Sequence, residues 1–337
     1  MGRRSYRHVA WCNRLAITTA RAQANPRSVL TLTPNPSIDL STAVDRVVPR
    51  HKLRCRGLKR DPGGGGINVA RVVHRLGLGV SAVYAAGGFG GQLLETLVRK
   101  EGIYSRLVRI SAETREDFTV DEAATGQQFR FVLAGPQLEE SEWRKCLDEI
   151  ESTHPFPDFV VASGSLPPGA PDDFYARAAR MTRERGGKLA LDTSGRPLEM
   201  ALAEGVYLVK PNLNELRQLT GSRSDSQTDW ESWCRRIITE GQADVVALTL
   251  GDKGALLATD QGVWRAPALD ISAISTVGAG DSFLGGMIWS LASNHSLETA
   301  FRYGAAAGSA ALLSLGTELC HADDVVRLFP QVSLRRC

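Results

Sequence analysis

The chain has 337 residues, 43% of them apolar and 23% charged: enough for a large α/β core, and too ordinary a balance for a disordered or fibrous protein. Its net charge of +3 misleads, because residues 1–28 hold six arginines and no acid; the remainder carries −3, which excludes a basic nucleic-acid footprint on the body. No apolar run approaches the roughly 20 residues that a membrane-spanning helix needs.

The arm is expected to be a disordered extension, or the result of a start placed too far upstream, ahead of an Arg-rich targeting segment; Leu15 to Ala20 is too short and too weakly apolar for a signal-peptide core. Val29 to Thr33 reads as a first strand ended by Pro34. Residues 40–60 alternate as in a small, half-exposed sheet. Pro62 to Gly66 reads as a flexible break. Ile67 to Leu76 has helical spacing, with Gly77 as its stop. Val80 to Ala86 reads as a buried strand and 92–101 as a helix. Residues 106–134 alternate around Thr125-Gly126 as a hairpin, assigned to the same small sheet as 40–60.

From residue 140 the period becomes regular. Helices over 140–151, 171–185, 213–220 and 229–240 alternate with strands at 159–162, 188–191, 207–209 and 245–249, and helices 281–292 and 297–313 close the chain. Such alternation predicts an α/β fold with a mainly parallel sheet covered on both faces, whose ligands lie beyond the carboxyl ends of the strands. None of the six cysteines forms a C-x-x-C pair, as expected of reduced thiols in a cytoplasmic protein. The six histidines show no metal-ligand spacing.

Two segments carry chemistry. Thr276-Val277-Gly278-Ala279-Gly280-Asp281-Ser282 opens a helix: small residues let an anion approach its first N–H groups, and a carboxylate stands beside them. Transfer of a phosphoryl group to an alcohol needs both, a base for the proton and fixed donors for the phosphoryl oxygens. Gly63-Gly64-Gly65-Gly66-Ile67-Asn68-Val69-Ala70 is a second glycine-rich entry to a helix. It is not a Walker A loop, since no Lys-Ser or Lys-Thr follows.

Together, in this order, the two segments resemble the signature motifs of the ribokinase-like (PfkB) carbohydrate kinases. The likeness extends over about residues 28–330 through Asn35 to Asp39, Ser163 to Gly169, Lys210 to Glu215 and Thr249 to Gly254. Lys52 to Cys55, Gly63 to Ala70 and Gly316 to Cys320 resemble the minor bacterial 6-phosphofructokinase branch; the 1-phosphofructokinase and tagatose-6-phosphate kinase branches typically have Gly-Lys-Gly where this chain has Gly64-Gly65-Gly66.

The resemblance implies a three-layer α/β/α kinase domain over 29–330 with a small β-sheet lid made of segments near 40–60 and 106–134, an extension over 1–28 and a tail over 331–337. It implies transfer of the ATP γ-phosphoryl to the C1 hydroxyl of fructose 6-phosphate, with a sister phosphosugar kinase or a non-catalytic sugar-phosphate-binding paralogue as alternatives. Asp281 would be the base, with Gly278, Ala279 and Gly280 as phosphoryl donors. Asp39, Gly64, Gly65, Asn68, Arg115 and Ser165 would hold the sugar phosphate. Lys210, Asn212, Thr249, Gly251, Gly254 and Lys52 would hold ATP, Lys52 acting across a homodimer formed through the lid. Glu215, with Asn212, would organise Mg²⁺. Ser275, Val277, Ala311, Ser314, Gly316 and Glu318 match positions that bind K⁺ in related kinases, although Ser314 and Glu318 depart from the Asn and Arg of the similar enzyme.

Overall fold

The computed structural model describes residues 25–337 apart from 223 and 225, so most of the arginine-rich arm lies outside the described residues. In chain order the first half comprises β1 (Val29–Thr33), β2 (Ser37–Val44), β3 (Arg56–Gly63), α1 (Gly65–Arg75), β4 (Val80–Ala86), α2 (Gly88–Lys100), β5 (Tyr104–Arg109), β6 (Arg115–Glu122), β7 (Gln128–Phe131) and α3 (Glu140–Glu151). There follow β8 (Phe159–Ser163), α4 (Phe174–Glu184), β9 (Lys188–Asp192), α5 (Gly195–Glu204), β10 (Val206–Val209), α6 (Leu213–Thr220), α7 (Gln227–Thr239) and β11 (Ala243–Thr249). The chain ends with β12 (Ala255–Thr259), β13 (Gly262–Ala266), α8 (Ala279–Ala292), α9 (Leu297–Ala311), α10 (Ala322–Leu328) and β14 (Arg335–Arg336).

Ten strands form one sheet in the order β14-β13-β12-β11-β10-β9-β8-β1-β4-β5. From β11 to β5 all neighbours are parallel, and β12, β13 and β14 add an antiparallel edge. Strands buried on both faces are largely apolar, and β1 and β8 are buried along their whole length with only Thr31, Thr33 and Ser163 as polar residues. One face packs on α1, α8 and α9 through Ile67, Val72, Leu284 and Phe301; the other packs on α3, α4, α5 and α7 through Trp143, Phe174, Leu202 and Trp230. No described helix is long and apolar enough to cross a membrane.

The second sheet has the order β3-β2-β6-β7 and is the small lid expected from the alternating segments. Its boundaries differ from the sequence reading. Tyr104–Arg109 pairs with β4 at the edge of the large sheet, because a half-exposed edge strand alternates just as a lid strand does. Pro62 and Gly63 are no flexible break: they end β3, opposite Ile38 and Ser37, and α1 starts two residues later.

Helix α5 has no counterpart in the sequence reading; proline is tolerated in a first helical turn, and Leu198, Ala201 and Leu202 supply the buried face. The β12–β13 hairpin and α10 also went unread. Arg335 and Arg336 of the expected tail pair with β13, and Val332 is buried.

Candidate active site

The parallel strands all point their carboxyl ends at one rim, where the sheet order reverses about β1. Asp192 ends β9, Lys210 follows β10, Thr249 ends β11 and Ser163 ends β8. The lid strand β2 leaves β1 over this rim, which puts Asp39 opposite the start of α8.

Helix α8 begins at Gly278, whose φ of 74° is left-handed and whose added Cβ would sit 2.5 Å from Leu319 Cδ2, so only glycine opens the helix here. Asp281 follows in the first turn and accepts a hydrogen bond from Asn68 Nδ2 at 2.9 Å. Asn68 stands in the first turn of α1, and its distance from Asp281 depends on how closely α1 approaches α8. Gly285 sets that approach: a Cβ there would lie 2.6 Å from Val72. Gly285→Val should push the helices apart, lower stability by about 1–3 kcal/mol and weaken the Asn68–Asp281 contact. Chemical denaturation together with kcat checks this; a loss of stability with full kcat would uncouple the helix contact from the site.

A cavity of about 170 Å³ joins Asp39, Gly64, Gly65, Asn68, Gly278 and Asp281. Ser37 donates to Asp39 Oδ1 at 2.6 Å. Burial raises the pKa of Asp39, with the neighbouring Asp117 adding to it. Burial also drives Asp281 up to about 7, helped by Asp192 and Asp39 and opposed by the Asn68 hydrogen bond and Lys210. A carboxylate tuned to neutral pH suits a general base.

Lys210 is buried and pairs with Asp192 at 3.0 Å. Burial works to lower its pKa, but Asp192, Glu215 and Asp281 outweigh it and hold the ammonium charged. Its Nζ lies against Gly280, so this cation abuts the first turn of α8. Asn212 and Glu215 form a reciprocal cap on α6: Asn212 N donates to Glu215 Oε2 at 2.7 Å, and Glu215 N donates to Asn212 Oδ1 at 3.0 Å. Burial raises the pKa of Glu215. Thr249 bridges to Asn212 from the end of β11, with Gly251 and Gly254 in the turn beyond it.

Arg115 opens β6 and lines the cavity, but its donors are largely engaged within the lid root. They reach Asn35 O at 3.1 Å, Leu133 O at 2.6 Å and the Asp117 carboxylate at 3.2 Å. Ser165 lies on the loop after β8, exposed, and accepts from Asn35 Nδ2 at 3.2 Å. Lys52 is exposed on the loop between β2 and β3 and does not line the cavity.

Of the expected cation positions, Ser275 donates to Gly316 O at 3.1 Å and accepts from Val277 N at 3.2 Å, so these three come together. Ala311 O is taken by Ser314 N at 3.1 Å, and Ser314 Oγ donates to Leu319 O at 3.2 Å. Glu318 turns to the lid, 3.1 Å from Lys59, and to His321 at 3.3 Å. No group of three or more His, Cys, Asp or Glu suited to a metal occurs among the described residues.

Asp192, Asp117 and Arg130 were not picked out from the sequence. Asp192 had a readable signal, a lone acid closing an apolar strand. Arg130 lines the cavity from β7 opposite Thr119, a placement set by strand pairing and invisible in linear spacing.

The ATP-dependent 6-phosphofructokinase isozyme 2 of Mycobacterium tuberculosis is 44% identical over 307 residues, 91% of this chain and 90% of that protein. Two crystal structures of phosphofructokinase-2 from Escherichia coli superpose with TM-scores of 0.86. One, in complex with potassium, is 37% identical over 90% of this chain and 99% of that one. The other, in complex with fructose-6-phosphate, is 36% identical over 91% and 99%. Residues 33–324 match the pfkB family of carbohydrate kinases, and the chain belongs to that family.

Proposed function

We propose that this protein phosphorylates fructose 6-phosphate at its C1 hydroxyl with ATP, giving fructose 1,6-bisphosphate and ADP. The observation that carries this reading is the placement of Asp281: it stands at the mouth of α8, in one cavity with Asp39 and Asn68, with a pKa raised to about 7 by burial. The relatives' names supply the substrate.

In this reading Asp39 and Asn68 bind sugar hydroxyls and aim the C1 oxygen past Asp281. Asp281 takes its proton as that oxygen bonds to the γ-phosphorus and the bond to the ADP oxygen breaks. The N–H groups of Gly278, Ala279 and Gly280 would face the transferring phosphoryl oxygens at the helix mouth, where the dipole favours negative charge, Ala279 giving up its long 3.4 Å contact to Thr276 O. Lys210, held charged, faces the same oxygens, and Thr249, Gly251 and Gly254 border the nucleotide. Arg115 and Arg130 are the cationic groups on the lid side and take the sugar phosphate; Arg115 exchanges its Asp117 contact for the phosphate, with Ser165 as a further donor. The lid excludes water and limits ATP hydrolysis.

Hard oxygen donors suit Mg²⁺, and Glu215, with one carboxylate oxygen outside its cap contact, would supply one; Asn212 Oδ1 is taken by Glu215 N, so Asn212 would act by holding Glu215 in place, and Asp192 would be the second carboxylate. When bound, the metal would neutralise charge on the nucleotide phosphates. Carbonyls of the Ser275, Val277 and Gly316 cluster would hold a monovalent cation, and Glu318 balances Lys59 across the lid root. The lid also exposes Leu58, Phe118 and Phe131, 42–56% accessible, with Phe118 paired to Phe131, apolar surface we assign to lid-to-lid pairing in a homodimer; that pairing would bring Lys52 to the partner's nucleotide.

A substrate panel of fructose 6-phosphate, fructose 1-phosphate, tagatose 6-phosphate and unphosphorylated sugars, scored by ADP release with and without K⁺, tests this. Fructose 6-phosphate should exceed each other acceptor by at least tenfold in kcat/KM. Preference for fructose 1-phosphate would replace the substrate and keep the chemistry; sugar binding without turnover would favour a regulatory protein.

A further inference from the structure

We infer that Arg71 is a positioning residue for phosphoryl transfer: its guanidinium fixes which end of the Asn68 amide faces Asp281. Among the described residues Arg71 is the largest side chain with under 2% of its surface exposed, an expensive place for a charge, and its Nη2 has ion-pair contacts without a hydrogen bond. Nη1 donates to Pro62 O at 3.1 Å and to Asn68 Oδ1 at 3.3 Å. Nε donates to Glu101 at 3.1 Å, and Nη2 lies 3.0 Å from Glu101 and 3.5 Å from Asp61.

A guanidinium offers donors only, and an ionised carboxylate offers acceptors only. Asn68 sits between one of each. Its carbonyl must therefore face Arg71 and its amino group Asp281, as found. Reversed, the amide would set N–H against N–H on one side and oxygen against oxygen on the other. Without Arg71 the amide can turn, present its oxygen to Asp281 and favour the protonated carboxyl, which cannot act as a base. The charged groups facing Asp281 are Asp192 from β9, Lys210 beyond β10 and Asp39 from the lid; none of them orients Asn68. The same guanidinium ties β3 of the lid, through Asp61 and Pro62, to the end of α2 at Glu101, so the orientation is set by the scaffold.

This deepens the reading of Asp281 as the base, but its test does not need turnover. Arg71→Met leaves both carboxylates partnered, Glu101 by Arg75 at 3.2 Å and Asp61 by Lys59 and Thr317. The pH dependence of the melting temperature is measured for the natural protein and for Arg71→Met, each against its own Asp281→Asn partner. The pH at which each pair diverges reports ionisation of Asp281. That midpoint should rise by about half a pH unit or more in Arg71→Met, because the amide now stabilises the protonated form. Arg71→Lys, still a pure donor, should restore part of the shift.

In an Asn68→Ala background Arg71→Met should move the midpoint no further. An equal shift with and without Asn68 would make Arg71 a bulk charge effect and overturn the inference, as would an unmoved midpoint in a protein with native circular dichroism. If Arg71→Met lacks a native spectrum, Arg71→Gln replaces it, since an amide both donates and accepts and imposes no orientation. In turnover, kcat/KM for fructose 6-phosphate should fall about tenfold or more while KM for ATP stays within twofold. A midpoint shift in a protein that does not phosphorylate fructose 6-phosphate would defeat the proposed substrate and leave the positioning role standing.

Discussion

Asp281→Asn is expected to lower kcat by about 10³-fold or more while the affinity for fructose 6-phosphate changes by less than about threefold. The amide has nearly the same shape and still accepts from Asn68, so the cavity is preserved and only proton acceptance is lost. The same substitution should stabilise the protein. The folded-state pKa of Asp281 is raised from 3.8 to about 7, so its stabilising contribution is complete below pH 3.8 and is lost as pH rises through 7. At pH 8 the ionised carboxylate costs at most about 4 kcal/mol, an upper bound that water entry into the cavity reduces. A rise in Tm of roughly 2–6 °C at pH 8, shrinking toward zero near pH 4, is the expected signature by differential scanning calorimetry. A drop in both activity and Tm would mark Asp281 as a structural acid.

Asp39→Ala carries the second large effect: kcat/KM for fructose 6-phosphate should fall about 10³-fold or more, with KM for ATP nearly unchanged. A half-buried carboxylate that accepts from Ser37 on one side lines the cavity with its remaining acceptor positions, where sugar hydroxyls would supply the donors. Sites built on such hydrogen bonds lose heavily when one partner goes, because the other is left buried and unpaired. Steady-state kinetics against both substrates decide it. Equal damage to the KM of ATP and of sugar would mean that Asp39 supports the lid instead of reading the substrate.

Much of this site was legible in the residues because its parts are local. A left-handed glycine, a small residue and an acid at the head of a helix form one continuous segment, 278–281, and the same holds for Asn212 and Glu215 three apart at the start of α6. The regular half of the fold was legible because buried parallel strands are short apolar runs. What escaped was relational. Tyr104–Arg109 and the lid strands share one alternation, and only strand pairing tells them apart. The Arg71 network joins residues 61, 68 and 101, and no spacing announces it. Arg115 was recognisable as a lid cation, but its engagement by Asn35, Leu133 and Asp117 depends on how the chain crosses itself at the lid root.

The pH dependence of kcat/KM for fructose 6-phosphate tests the central claim most directly, since that ratio reports groups of the free enzyme. Activity should rise with pH through a midpoint close to 7, above the substrate phosphate's own titration near 6, and the small residual activity of Asp281→Asn should lack that step. A step at 7 that survives the substitution, or a profile flat across neutral pH in the natural protein, would show that another group takes the proton.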